Sequence, residues 1–357
     1  MKKQQKKITS IGGSALIEGI MMRGPKRTAV ACRVDKDTID LVDLEVKPVF
    51  KSKFWKIPVV RGIAGMIDSM RLSYKALGLS ADKAMEAGLV EEEEPSKFEK
   101  WLEKTFGDKL MNVIMVIASV LGIAIALGLF VFLPSKLFDW TIAPHITDWA
   151  ESSARLLKSA FEGVLKLVLF FGYMIIVSQM NDMKRVFMYH GAEHKTIFCY
   201  ENDEELTVEN VRKQTRFHPR CGTSFLVVTL LVGIIVGLFI PTAPFGIKIL
   251  RPVFRLLLLP VMVGLGYEVI KLCGKHDNAF TRILATPGLW AQRITTREPK
   301  DEMIECAIKA MVAVIPDDGS DILSCCPDLE IITDNSETDK EAITDENKTD
   351  DDSQTAE

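Results

Sequence analysis

The sequence predicts an α-helical membrane protein with four transmembrane helices, a small N-terminal cytoplasmic α+β region and a disordered acidic C-terminal tail. Three observations carry that prediction. Hydrophobic residues make up 48% of the 357, mean hydropathy is positive, and the excess is concentrated in four blocks. Lys and Arg crowd the segments on one side of those blocks. From residue 333 the chain is dominated by Asp, Glu, Thr and Asn, with almost nothing to bury.

The first region, 1–105, starts with a basic stretch of lysines that is not followed by an apolar h-region, so no cleaved signal peptide is expected. Residues 8–30 hold glycines around a short apolar run. Glu18 and Arg23 interrupt that run and are candidates for a pair or for lining a site; no GxGxxG or Walker pattern is present. Thr28 to Val34 and Ile39 to Val46 read as two strands joined by the turn-rich Asp35 to Thr38, a small antiparallel hairpin. From Pro58 to Ala87, Ile63, Met66, Ile67, Met70, Tyr74 and Leu77 recur at helical spacing among Arg and Lys. That predicts an amphipathic helical region, with a break near Gly78, packed on the hairpin or lying at the membrane interface. The acidic run Glu91 to Glu94 before Pro95 marks a solvated linker.

The membrane domain is expected over 106–275. Met111 to Leu133 is uncharged for 23 residues and stops at Pro134, where about 20 suffice to cross the hydrocarbon. The further blocks are Phe161 to Met180, which carries Glu162 and Lys166, then Ser224 to Ala243, and Pro252 to Leu272. Segment 181–223 holds seven Lys and Arg, against three in 134–160 and two in 244–251. The positive-inside bias therefore puts both termini and 181–223 in the cytoplasm of a multi-pass protein in the cell membrane.

That cytoplasmic segment contains His190-Gly191-Ala192-Glu193-His194, followed by His218-Pro219-Arg220-Cys221. On a helix His190 and His194 stand at i and i+4, and Glu193 leans to the same side. H-x-x-E-H is the inverted zinc-hydrolase order, two His ligands with Glu193 as general base. Three of the five histidines fall in this one stretch beside Cys221. The plainer alternative is that His190 and His194 are polar residues capping or pairing at a membrane surface.

A helical region, 276–332, follows the fourth block. Thr295, Thr296 or Arg297 are candidates to cap a helix over 301–314, in which Met303, Ile304, Ala307, Ile308 and Met311 form an apolar stripe fit for a core. The tail is 333–357. Seven scattered cysteines without a CxxC pair imply no disulfide framework, and a net charge of −4, basic at the start and acidic at the end, gives no support to nucleic-acid binding.

Together these motifs resemble the YqhQ-like family of bacterial multi-pass membrane proteins of unknown function, often described as predicted metal-dependent enzymes. The likeness spans about residues 10–315. It rests on Gly12-Gly13 with Glu18-Gly19 and Met21-Met22-Arg23-Gly24, on His190 to Thr196, on His218 to Phe225, on Tyr267-Glu268, and on Pro287-Gly288 through Pro299. Such proteins usually carry Gln where this chain has Ser14. The resemblance implies a membrane fold and supplies no substrate.

A divalent metal, zinc as first choice, is expected on His190 and His194, with His218, Cys221 or Glu268 completing the site; added carboxylates would open it to iron or manganese. Glu268, at a membrane boundary, otherwise needs a basic partner, and the segment 181–223 offers several. Two functions follow from this reading. In one, Glu193 is the catalytic base of a metal-dependent hydrolase whose substrate is a lipid or a membrane protein. In the other, the chain is a non-catalytic membrane factor (metal sensor, scaffold or transporter accessory) with a structural His/Glu/Cys cluster. The expected partner common to both is the lipid bilayer, and no pattern specifies an oligomeric state.

Overall fold

The computed structural model describes residues 7–35, 38–45, 50, 52–89, 117–241, 246–247, 250–275 and 278–323. The acidic linker, the first residues of the first apolar block and the acidic tail lie outside them.

Four strands form an antiparallel meander, β1 (Gly12–Leu16), β2 (Gly19–Arg23), β3 (Thr28–Arg33) and β4 (Ile39–Asp43), in sequence order. The expected hairpin is β3–β4, with Ala31 opposite Leu41. The sheet also includes residues 12–23, because Met22 and Ile20 pair with Ala29 and Ala31 and extend the alternation by two strands. Both faces of that alternation are buried. Ile20, Met22, Ala29 and Ala31 face one apolar core, while Met21, Val30 and Cys32 face another.

Helix α1 (Val60–Glu86) covers the second core with Leu72 and Ala76, running unbroken through Gly78. Its buried face is the small-residue row Gly62, Ala64, Ala76, Ser80 and Ala84 with Leu72. Of the large residues that suggested a stripe, Ile63, Met66 and Ile67 are half-buried, while Met70, Tyr74 and Leu77 face outward, Met70 being 64% and Tyr74 81% exposed. Small side chains win the inner face because they let the helix approach its neighbours closely.

The apolar stretch Ile117–His145, α2, and α3 (Glu151–Val177) are each long and apolar enough to cross a membrane. The expected stop at Pro134 does not occur. A π-turn over Gly128–Phe132, closed by the Leu133 N–H on the Gly128 carbonyl, precedes the proline and lets the helix continue to Thr141. Widening the turn relieves the clash that a proline ring makes with the preceding turn of an α-helix.

After α4 (Asn181–Glu201) and the short α5 (Val208–Lys213) comes α6 (Gly222–Gly237), apolar but only 16 residues, about 24 Å. Helices α7 (Leu250–Leu257) and α8 (Leu259–Lys275) meet at a bend of 48° and count as a third crossing if taken as one broken span. Pro260 accounts for the bend, since it removes a backbone donor just inside α8. Among the described residues, two helices, or three with the bent pair, thus have the length and composition of membrane spans.

Helix α9 (Ala279–Thr295) packs along α6, and α10 (Asp301–Val312) packs against α4 and the sheet. Met303, Ile304, Ala307 and Met311 are fully buried in the core shared with Tyr189, Ala192, Ile197 and β2–β3, and Ile308 packs against it partly buried. No Thr or Arg side chain caps α10. Its N-cap is Lys300, and Asp301 and Glu302 in the first turn supply the favourable charge instead.

Glu18 sits in the β1–β2 turn at φ 49°. Its carboxylate takes the guanidinium of Arg185 and the hydroxyl of Tyr189 (3.2 Å), both on α4, rather than Arg23. The two glycine-flanked strands are thereby fastened over the helix that carries the histidines.

Candidate metal centre

Helix α4 places His190 and His194 one turn apart, with ring centroids 4.4 Å from each other. Each ring is held through Nδ1. His190 donates to the Thr295 carbonyl (2.8 Å), and His194 donates to the Arg216 carbonyl (2.6 Å). Since a carbonyl only accepts, both Nδ1 atoms carry hydrogen and both Nε2 atoms are free to act as ligands. Cys221 is the N-cap of α6, and its Sγ lies 3.2 Å from His190 Nε2. The ligand atoms of His190, His194 and Cys221 all lie within 4.8 Å of one another, and this group could hold a metal ion.

The thiol and the imidazole shift each other's ionisation. Burial disfavours a thiolate at Cys221, yet the two histidines hold the thiol well below its ordinary range. Burial likewise opposes charge on His190, and Cys221, with Glu193 and the Thr295 carbonyl, outweighs it and raises the imidazole to about 9, so a metal would bind Nε2 by displacing its proton. A position at a helix N-terminus adds to thiolate stability.

Glu193 is buried beside the three ligands, and burial raises its carboxyl above the usual range against the pull of His190 and His194. The backbone of Gly13 on β1 lies against it, while its Oε2 has no hydrogen-bond partner among the described residues.

The other two candidate ligands are engaged elsewhere. His218 accepts the Arg220 N–H at Nδ1 (3.3 Å), so Nε2 carries the proton and points to Glu201 Oε2 at 3.8 Å. Its ring backs that of His194, with centroids 5.5 Å apart, and burial lowers its pKa to about 4, so it is neutral. Glu268 receives the Arg61 guanidinium, with Nε to Oε1 at 2.7 Å, and the Val59 N–H at 3.2 Å. Its partner is therefore on α1 and not in the 181–223 segment.

Residues without a sequence signature of their own hold the arrangement. Buried Gln292 on α9 accepts the His218 N–H (2.7 Å) and donates to the His218 carbonyl (2.6 Å) and Ser224 Oγ (2.9 Å). Glu298 pairs with Lys195 (2.8 Å) and Arg216 (2.9 Å), fixing the peptide that holds His194. At Gly191 an added Cβ would lie 2.0 Å from the Arg297 carbonyl oxygen, so only glycine admits the 295–299 segment that supplies the His190 acceptor. A polar Gln within an apolar-faced helix and the His-Gly pair were the available hints.

A family model described as a protein of unknown function (DUF1385) matches residues 57–317. Uncharacterized protein YqhQ of Bacillus subtilis (strain 168) is 36% identical over 301 residues, 84% of this chain and 90% of that protein. No solved structure matches.

Proposed function

We propose that this chain, which belongs to the DUF1385 family, is a cell-membrane protein that holds zinc on His190, His194 and Cys221 at its cytoplasmic face and hydrolyses a bond in a membrane lipid or membrane protein. The observation that carries this reading is Glu193 Oε2, buried without a hydrogen-bond partner among the described residues beside three convergent candidate ligand atoms. Zinc bound by three protein ligands would polarise a substrate carbonyl or phosphoryl oxygen and make water acidic at an open position.

The chain's own groups then divide the work. Thr295 and Arg216 carbonyls hold the imidazole rings in the ligating tautomer. Glu193 would accept a proton on Oε2, and burial, which raises its carboxyl above the usual range, makes the carboxylate a stronger base. The backbone of Gly13 packs against its carboxyl carbon and limits where it can move.

The charge distribution supports four crossings by α2, α3, α6 and the bent α7–α8 pair, with both ends cytoplasmic. Cysteine labelling at positions 148 and 205 should report opposite membrane faces. Labelling of both from outside would reverse the orientation.

Burial of His194, Glu193 and Cys221 favours a second reading, a structural metal in a non-catalytic membrane factor such as a sensor, scaffold or transporter accessory. Elemental analysis of the detergent-purified protein separates the two when combined with complementation of a deletion strain. The hydrolase reading expects Glu193→Gln to keep about one metal per chain and to lose complementation, while His190→Ala/His194→Ala loses both. Full complementation by metal-loaded Glu193→Gln would establish the structural alternative.

A further inference from the structure

We infer that α1 and the turn before it lie in the anionic membrane interface, with Met70, Tyr74 and Leu77 among the lipids. This rests on the reading that α8 crosses the membrane. Helix α1 carries two apolar faces. The inner one, of small residues, is used against the sheet and α8. The outer one has no partner among the described residues, with Met70 64%, Tyr74 81% and Leu77 44% exposed at i, i+4 and i+7 spacing.

The start of α1 is seated against the side of α8. An added Cβ on Gly62 would lie 2.7 Å from Tyr267 Cβ, and one on Gly264 would lie 2.4 Å from Val59 Cγ1. Arg61 grips Glu268 on the same stretch of α8. Gly264 stands about 17 Å along the helix from Lys275, the end of α8. With Lys271 in the headgroup layer, Glu268 and the Arg61 that grips it stand about 5 Å along the helix from it, so the first turn of α1 meets α8 near the hydrocarbon boundary and the outer apolar face continues the lipid-facing surface of a membrane helix. Phe54 and Ile57, just before α1, are also exposed, at 57% and 49%.

The chemistry of the flank selects the occupant. Lys53, Lys56, Arg71 and Lys75 are exposed beside the stripe. Aromatic rings over a basic margin are the composition of helices that lie in the plane of an anionic leaflet.

The test uses the full chain in nanodiscs of phosphatidylglycerol and phosphatidylcholine, with the photo-crosslinker p-benzoylphenylalanine replacing Tyr74, Met70, Ile123 or Glu209. Ile123 on α2 reports membrane insertion and Glu209 reports solvent. Lipid adducts at 74 and 70, several-fold above those at 209, are expected beside adducts at 123. Arg71→Gln/Lys75→Gln should lower the phosphatidylglycerol share of the adducts at 74 several-fold. Adducts at 123 with none at 74 or 70, or crosslinks from 74 to a second protein chain, would overturn this inference alone. Absence of adducts at 123 would remove the membrane reading, and this inference with it.

Discussion

Gly13 on β1 lies directly against Glu193 on α4. A Cβ added at Gly13 would stand 3.0 Å from Glu193 Cδ and 2.6 Å from the Met21 carbonyl oxygen. The strand can therefore reach the acid only as glycine. Gly13→Ala is expected to destabilise the protein by about 1–3 kcal/mol through overpacking and to displace Glu193 while leaving the three ligand side chains intact. Melting temperature should fall, metal stoichiometry should hold, and complementation should weaken. Unchanged melting would show that the strand moves freely.

Glu268→Gln separates the α1–α8 clamp from the metal group. Both Arg61 and Glu268 keep a quarter of their side-chain surface exposed, so loss of the ion pair should cost roughly 1 kcal/mol. Metal content measured on purified protein should equal that of the wild type. A fall in stoichiometry would bring Glu268 into the ligand set.

His218 gives a pH dependence of defined sign. Its folded-state pKa, near 4, lies below the ordinary 6.5, so the unfolded chain binds the proton more readily. The contribution is complete above about pH 6.5 and is lost as pH falls toward 4, with a span on the order of 3 kcal/mol. Thermal melts between pH 7 and 4 should show a shallower acid limb for His218→Asn than for the wild type, after correction for its lower starting stability. Identical slopes would mean that His218 is not held neutral.

Arg251 is fully buried and donates to the carbonyls of Ile240 (2.5 Å) and Pro241 (2.9 Å), to the Gly237 carbonyl and to Ser159 Oγ (2.8 Å). It thereby caps the C-terminal end of α6 and faces Glu162, which also takes Arg255. Arg251→Leu leaves those acceptors and part of the Glu162 charge unmatched inside the bundle. A loss of about 3–5 kcal/mol is expected, read as lower melting temperature and yield in detergent. Wild-type melting would mean that the far end of α6 is held by other contacts.

The sequence by itself determined what one element decides alone. Two histidines four positions apart share a helix face because 3.6 residues make a turn, and the structure keeps His190 and His194 in that relation. The β3–β4 hairpin and the buried stripe of α10 follow in the same way from residue periodicity, as do the long apolar helices. Tertiary packing decided the rest. Cys221 is 31 positions from His190 and Glu268 is further still; α6 delivers its N-cap to the imidazole, whereas α8 turns Glu268 to Arg61. Glu18 passes over Arg23 for Arg185 because the turn points it at α4, across the sheet edge. Helix α1 buries its small residues because its neighbours come close enough to exclude large ones. Periodicity acts over one or two turns of backbone, while these choices depend on the distance between surfaces that separate segments bring together.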